Sequence, residues 1–457
     1  MHEGGRAAVK LSLFSLTWPI FVESALQMFL RISDTFMLSK VSDNAVAAVG
    51  VANQILIFVV LMFNVIAVGS AVVITQYIGA RRHNEIGRLA SSSIAINFLF
   101  GVLVSVLVVS FNVPLLRIFD LDPAVFNLSQ DFLHIAGAAL VIQGVLTGVT
   151  AIIQSHGFTR HTMMVTIGMN VLNLCGNYLV IYGPFGFPKF GVTGVAVSTA
   201  TAQLIGLAVN LVILRKVAGV QLTWAHLTNW KKEHVDKVLR VGLPSSINNC
   251  SYSASQFVTT AFIATLGTAA LTTRIYTMNL VFLVMILAIS IGRGGQIIIG
   301  QMIGAGDREL AYRTVYRYLR ASMLITLAAA SVIALFRVPL LGMFTSDASI
   351  IKMGATLLVL GLLLEPGRNF NIIIERSLAA AGDARFAMIG SVSVSWLFSV
   401  PMIYLLGIHM GYGLLGIWAA YIMDEWFRGL ILFMRWRSKA WQRKVLVQRK
   451  EEAAVVR

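Results

Sequence analysis

ITQYIGA at residues 74–80 returns as IGQMIGA at residues 299–305, and the constant shift of 225 residues between them decides the fold. Held without a gap, the same shift lays Pro19 on Pro244 and Asp122 on Asp347. It also lays Phe111, Val113, Pro114, Leu115 and Leu116 on Phe336, Val338, Pro339, Leu340 and Leu341, and Gly157 and Arg160 on Gly382 and Arg385. Apolar residues coincide by chance in a chain this greasy. Aligned Gly, Pro, Gln and Asp punctuation in one register does not, so the chain is an internal duplication.

The duplicated unit is a membrane unit. With 57% hydrophobic and 12% charged residues over 457 positions, a water-soluble surface could not be covered. Apolar runs of about 20 residues, the length that crosses a bilayer as helix, recur throughout. They do not alternate apolar with polar as barrel strands do. Expected spans are 14–38, 46–77, 90–111, 126–153, 161–183 and 192–214, then 239–265, 271–302, 315–336, 349–378, 386–407 and 413–434. The expectation is an all-α polytopic membrane protein of twelve transmembrane helices in two six-helix parallel repeats, with a central cavity between the lobes. The N-terminal lobe is residues 1–214, a polar linker is 215–238, and the C-terminal lobe with its basic tail is 239–457. Six helices per repeat give both halves the same orientation, the parallel plan of several secondary transporters, which bind substrate between the halves. No Walker-type phosphate loop or soluble domain long enough to hydrolyse a nucleotide appears, so the chain is expected to be no enzyme and to draw on an ion gradient or on the substrate's own.

The formal charge of +16 invites a nucleic-acid reading, but the basic residues sit in alternate loops. Arg6 and Lys10, Arg81, Arg82 and Arg88, Arg160, the linker lysines, Arg308, Arg313 and Arg317, Arg385 and the tail form one set. The intervening loops carry Asp43, Asp120, Asp122 and Asp347. By the positive-inside rule both termini are cytoplasmic, and no soluble basic surface remains for nucleic acid. The expected partners are the bilayer and a small organic substrate, with no obligate protein partner. Cys175 and Cys250 lie in apolar helices, and no metal-ligand spacing is present. Lys10 precedes an apolar run without a small-residue cleavage site, so residues 19–38 read as a retained first helix.

That helix, PIFVESALQMFLRISDTFML, carries Glu23, Gln27, Arg31 and Asp34 near one face. An acid at such depth costs about 2.5–3.5 kcal/mol on the insertion scale, so it is sheltered and often used. Arg31, one turn away, offers a neutralising ion pair as an alternative. Under the shift Glu23, Gln27 and Asp34 become Asn248, Tyr252 and Thr259, so helix 7 keeps the stripe and loses both acids. Helix 4 shows Gln143, Thr147, Thr150 and Gln154 on one face, helix 5 Asn170, Asn173 and Asn177, and helix 10 Glu365, Arg368 and Glu375. Candidate path residues are Glu23, Gln27, Gln143, Thr150, Tyr252, Glu365, Arg368 and Glu375. Asp424, Glu425 and Arg428 read as a local salt bridge above a basic, aromatic anchor, and Gln76 and Gln301 as residues that shape helix ends.

Pro19 ahead of the helix 1 acid, the QYIGA and QMIGA echo, NVLNLCGNYLVIYG at 170–183 and GVTGVAVSTATAQ at 191–203 resemble the multidrug and toxic compound extrusion (MATE) family over essentially the whole chain. The resemblance implies efflux of amphipathic, cationic organic compounds by antiport with H⁺ or Na⁺ across a bacterial inner (plasma) membrane, with no cofactor. It implies an N-lobe coupling site at Asp34, Asn173, Asn177 and Thr199, whose oxygens suit Na⁺ or whose carboxylate takes H⁺. Some members have a second acid at the place of Asn177. The helix 7 acid of NorM-type members, expected near Tyr252, is absent, so no C-lobe ion site is carried over. A related lipid-linked precursor flippase and a major-facilitator-type transporter are the alternatives.

Overall fold

The computed structural model describes residues 12–223 and 231–447; Arg6, Lys10, linker residues 224–230 and the tail beyond 447 lie outside the described residues. The first half contains α1 (Leu13–Ser39), α2 (Asp43–Gly79), α3 (His83–Ser110), α4 (Pro123–Ala138 continued by Leu140–Ser155), α5 (Thr159–Tyr182) and α6 (Gly191–Lys216). The second contains α7 (Lys232–Ala264), α8 (Thr268–Gly304), α9 (Arg308–Leu335), α10 (Ala348–Ala380), α11 (Ala384–His409) and α12 (Gly413–Arg437). No strand occurs among the described residues. The repeat is visible in the boundaries, because α2 and α8 each have 37 residues and start and stop at positions related by the 225 shift.

Local chemistry sets these ends and breaks. Ser12 and Ser42 accept hydrogen bonds from the first-turn amides of α1 and α2, each at 3.1 Å. Asp347 caps α10, where donors from Ser349 and Ile350 hold its carboxyl below the usual range. Gly183 ends α5 in the left-handed region at φ 63°. The two parts of α4 meet at 46° around Ala139, and α11 passes through two π turns flanking Pro401, whose missing N–H loosens the ladder.

Among the described residues nine helices are long and apolar enough to cross a membrane, and the bent α4 makes ten. The expected twelve are present as long helices, but α7 and α12 fall outside that measure. The Ser/Asn stripe of α7 and the Asp424, Glu425 and Arg428 of α12 make them too polar. Large apolar side chains such as Leu397 (80% exposed) and Phe257 (71%) point outward, a surface for lipid rather than water. α7 begins at Lys232, so its first turns run through the end of the segment expected as linker.

The halves meet through small residues. A Cβ added at Gly79 of α2 would lie 1.9 Å from the Gln301 backbone oxygen, and one at Gly304 of α8 would lie 2.0 Å from that of Gln76. Gly242 of α7 is equally tight against Val65 of α2, while Gly294 of α8 meets Thr17 of α1. Small residues let helix backbones approach this closely in membranes.

Gln76 and Gln301 then reach across. Gln76 Nε2 donates to the Ala380 carbonyl at 2.6 Å, and Gln301 Nε2 donates to the Ser155 carbonyl at 3.2 Å. Both donors and both acceptors are related by the 225 shift, so one contact is made twice about a pseudo-twofold axis. The reading of these glutamines as shapers of helix ends is thereby corrected: they join the halves. The symmetry then breaks. After α12, Trp441 stacks on Trp436 within the second half, and the chain crosses so that Leu446 and Val447 enter the apolar core around α2, α3 and α4. Their backbone amides donate to Gln76 Oε1 at 3.0 and 3.1 Å.

Gln76→Leu strands two buried N–H groups and a carbonyl, whereas Gln301→Leu strands one carbonyl. At about 1–3 kcal/mol for each buried unpaired group, Gln76→Leu is expected to destabilise the protein by about 3 kcal/mol more than Gln301→Leu in thermal unfolding of the purified chain. Equal melting temperatures would contradict the asymmetry.

Candidate functional site

Asp34 lies half-buried on α1, against the asparagine face of α5. Spacings of three and four place Asn170, Asn173 and Asn177 on that face, and all three are buried. Asn177 Nδ2 donates to Asp34 Oδ1 at 2.8 Å and to Asn173 Oδ1 at 3.0 Å. Asn173 Nδ2 donates to Thr199 Oγ1 of α6 at 2.8 Å, and Thr199 passes its own proton to the Val195 carbonyl at 3.0 Å. The structure thus links Asp34, Asn177, Asn173 and Thr199 into one hydrogen-bonded chain across α1, α5 and α6. Asn170 Nδ2 fastens the helices below it by donating to the Leu26 carbonyl at 3.2 Å.

Arg31 does not join this chain. It is exposed, and no ion pair connects it to Asp34. The carboxylate is therefore met by an amide rather than by a guanidinium. Asn177 Oδ1 is buried without a hydrogen-bond partner, an acceptor left free one atom from the donor that Asp34 uses. Oxygens of this kind are hard ligands suited to alkali and alkaline-earth cations, and the carboxylate alone suits a proton.

The other acid of α1 has a different setting. Glu23 is buried, and its Oε2 accepts from Gln154 Nε2 of α4 at 3.0 Å and from Thr162 Oγ1 of α5 at 3.2 Å. In the second half the acid lies on the other helix, at Glu375, the counterpart of Thr150 rather than of Gln154. Asn248, the repeat counterpart of Glu23, donates from α7 to Glu375 Oε1 of α10 at 2.9 Å. A carboxylate–amide bond thus joins α1 to α4 and α7 to α10, with acid and amide exchanged.

The remaining path candidates do not share one cavity. Gln27 is exposed, Gln143 bonds Thr147 on its own helix, and Thr150 accepts from Asn210 Nδ2 of α6 at 3.2 Å. Tyr252 and Arg368 do come together, in a pocket of the second half that also involves Gln256, Tyr421, Asp424 and Glu425. Arg368 is bonded to Glu365 and lies 3.7 Å from Glu425. Arg428 reaches Asp424 at 2.7 Å and Glu425 at 3.2 Å. Across the pocket Arg274 donates to Gln256 at 2.9 Å and to Thr260 at 2.7 Å. Asp424, Glu425 and Arg368 thus line the pocket, with Glu365 and Arg428 bonded to them and Arg274 bonded to Gln256 of its wall. Asp424, Glu425 and Arg428 are buried here rather than forming only a local bridge at an anchor. Gln256 and Arg274 were missed in the sequence; charged residues at one-turn spacing in two different helices were the available signal.

Comparison with known proteins follows this geometry. The MatE family model matches residues 19–179 and again 244–405. A Bacillus subtilis protein described as an uncharacterized transporter, YisQ, is 43% identical over 433 residues, covering 95% of each chain. A probable multidrug resistance protein NorM from Thermotoga maritima is 26% identical, covering 96% of this chain and 95% of its own. The crystal structure of the Vibrio cholerae MATE transporter VcmN in its bent form superposes with a TM-score of 0.84 at 19% identity, over 94% of this chain and 96% of that one. The twice-matched family model and a relative 43% identical along nearly its whole length establish that this chain belongs to the MATE family of membrane transporters.

Proposed function

We propose that the chain expels amphipathic organic cations by antiport, with Asp34, Asn173, Asn177 and Thr199 as the site that binds the coupling ion. The observation that carries this reading is the hydrogen-bonded chain from Asp34 through Asn177 and Asn173 to Thr199, which joins a carboxylate of α1 to two amides and a hydroxyl on α5 and α6. The relatives described as probable multidrug resistance proteins support the substrate class. In this reading both termini are cytoplasmic in a bacterial inner membrane, and residues 1–214 and 239–457 rock as lobes about the 215–238 linker.

The single amide donor to Asp34 supports H⁺ as the coupling ion. Asn177 presents an N–H to Asp34, which a carboxylate accepts in either protonation state through Oδ1, while Oδ2 takes or releases the proton. Na⁺ is the second reading, favoured by the free Asn177 Oδ1. Turning that amide would place its oxygen beside Asp34 and complete a set of oxygen ligands. Coupling requires only that ion and substrate prefer different conformations, each tenfold preference being about 1.4 kcal/mol. Pro19 within α1 gives that helix a place to bend as the ion binds.

Substrate contact belongs, in this proposal, to the pocket beside Tyr252 and Arg368, with Glu365 and Glu375 along the same helix. An aromatic face suits a flat organic cation. The two carboxylates and one guanidinium that line it give no net positive cavity of the kind a lipid-linked precursor flippase would be expected to use.

Reconstituted vesicles loaded with a fluorescent cation test the coupling. Under an imposed pH gradient, Asp34→Asn is expected to lower efflux to the rate of empty vesicles while leaving the melting temperature within a few degrees of wild type. Gradient-driven efflux that survives in Asp34→Asn would sink the assignment. Imposing a Na⁺ gradient alone separates the two ions, since an H⁺-coupled chain shows no efflux under it. In the second half Tyr252→Ala should reduce efflux with little loss of stability. Arg428→Met should do the reverse: two buried carboxylates lose a partner, at about 3–5 kcal/mol, read as a fall in melting temperature.

A further inference from the structure

The repeat makes one face of α9 unlike its counterpart on α3. Arg313, Arg317 and Arg320 follow at spacings of four and three and so lie on one side of α9, all exposed. With Tyr316 they line a groove of about 350 Å³. The corresponding residues of α3 are Arg88, Ser92 and Ala95, of which Ser92 and Ala95 are buried. One half therefore covers this face with protein, whereas the other leaves it open and lines it with guanidinium groups.

The charges of the groove are largely unspent. Glu309 accepts from Arg313 at 3.2 Å and also pairs with Lys439 at 2.7 Å. No carboxylate lies within ion-pair distance of Arg317 or Arg320 among the described residues. Along the same side of α9 the exposed surface then turns apolar, with Leu324 71% exposed and Leu335 72% exposed. Arg320 stands roughly 18 Å along the helix from Arg308, at 1.5 Å per residue. A headgroup-sized cationic groove thus opens directly onto a strip of apolar side chains facing lipid.

We propose that this groove is a binding site for an anionic phospholipid, whose phosphate sits among Arg313, Arg317 and Arg320 and whose acyl chains lie along Leu324 and the apolar strip beyond it. Guanidinium groups bind phosphate oxygens through paired N–H donors, and Tyr316 adds a hydroxyl at the groove wall. A free phosphate would use the arginines and ignore the strip. A neutral lipid would use the strip and leave two arginines uncompensated. An anionic phospholipid satisfies both, and the site occurs once per chain because the repeat supplies it in the second half alone.

Native mass spectrometry of the full purified chain, stripped of lipid and titrated with phosphatidylglycerol or phosphatidylcholine, tests this. Wild type is expected to retain phosphatidylglycerol in preference to phosphatidylcholine. With about fivefold expected per cation near a membrane surface, the Arg317→Gln/Arg320→Gln pair should lower that retention by at least tenfold. Arg88→Gln, at the matching place on α3, should behave as wild type. Thermal stabilisation by phosphatidylglycerol, measured on the same preparations and on Arg320→Gln alone, guards against a double variant that folds poorly. Equal retention by wild type and the double variant, equal binding of the two lipids, or displacement of phosphatidylglycerol by an equal concentration of inorganic phosphate would each overturn the proposal.

Discussion

The contact on which the two halves depend is a backbone one: α2 and α8 touch where Gly79 meets Gln301 and Gly304 meets Gln76, with no room for a Cβ on either side. Helices in a bilayer gain little from burying apolar surface against each other, because lipid is equally apolar. Close packing and hydrogen bonds have to hold them. At this crossing both are present, since the glycines bring the backbones together and the neighbouring glutamines then reach carbonyls in the opposite half. One crossing therefore sets the spacing of everything built on α2 and α8. It also explains why the Q-x-I-G-A pattern appears twice: Gln makes the bond, and Gly three residues on permits the approach.

A duplicated chain begins with two copies of each feature, and its function shows in where the copies diverge. A carboxylate–amide bond links the first and fourth helices of each half, but through different positions on the fourth: Glu23 with Gln154 in one, and Asn248 with Glu375, the counterpart of Thr150, in the other. Either arrangement supplies one donor and one acceptor to hold the two helices together. The position of Asp34 has no such bond in the second half: its counterpart Thr259 donates to the Ser255 carbonyl on its own helix. Conversely the tail contributes amides to Gln76 and nothing equivalent to Gln301, and the groove on α9 carries arginines that α3 lacks.

Much of this was legible in the sequence because membrane helices announce themselves by apolar length and the repeat by its punctuation. The asparagine face of α5 and the acid stripe of α1 followed from helical spacing, and the resemblance joined them to Thr199. Other features were not legible, for physical reasons. That Gln76 bonds to Ala380 and to the tail depends on contacts across some three hundred residues, which no local spacing encodes. The burial of Asp424 and Glu425 depends on Arg368 arriving from another helix. Arg31 misled for the opposite reason: spacing of three permits an ion pair with Asp34, but a helix face is broad enough for one side chain to point outward while the other turns in.

The neighbourhoods of the intramembrane acids bear on which of them can change charge during transport. Glu365 and Asp424 are each bonded to an arginine, and Glu425 lies beside two. Taking a proton there would leave a buried guanidinium without its counter-charge, which is the costly way to break a buried pair. Glu23 faces the charge of Arg293, and two donors from two other helices hold it, so a change in its charge disturbs the packing of α1 against both α4 and α5. Glu375 accepts one amide but follows the same logic as the paired acids, because Arg376 and, beyond it, Arg293 stand close by. Asp34 accepts a single side-chain amide, with no guanidinium in ion-pair reach. Protonating it or bringing a cation to it orphans no partner charge, so the energy of that event remains available to bias α1.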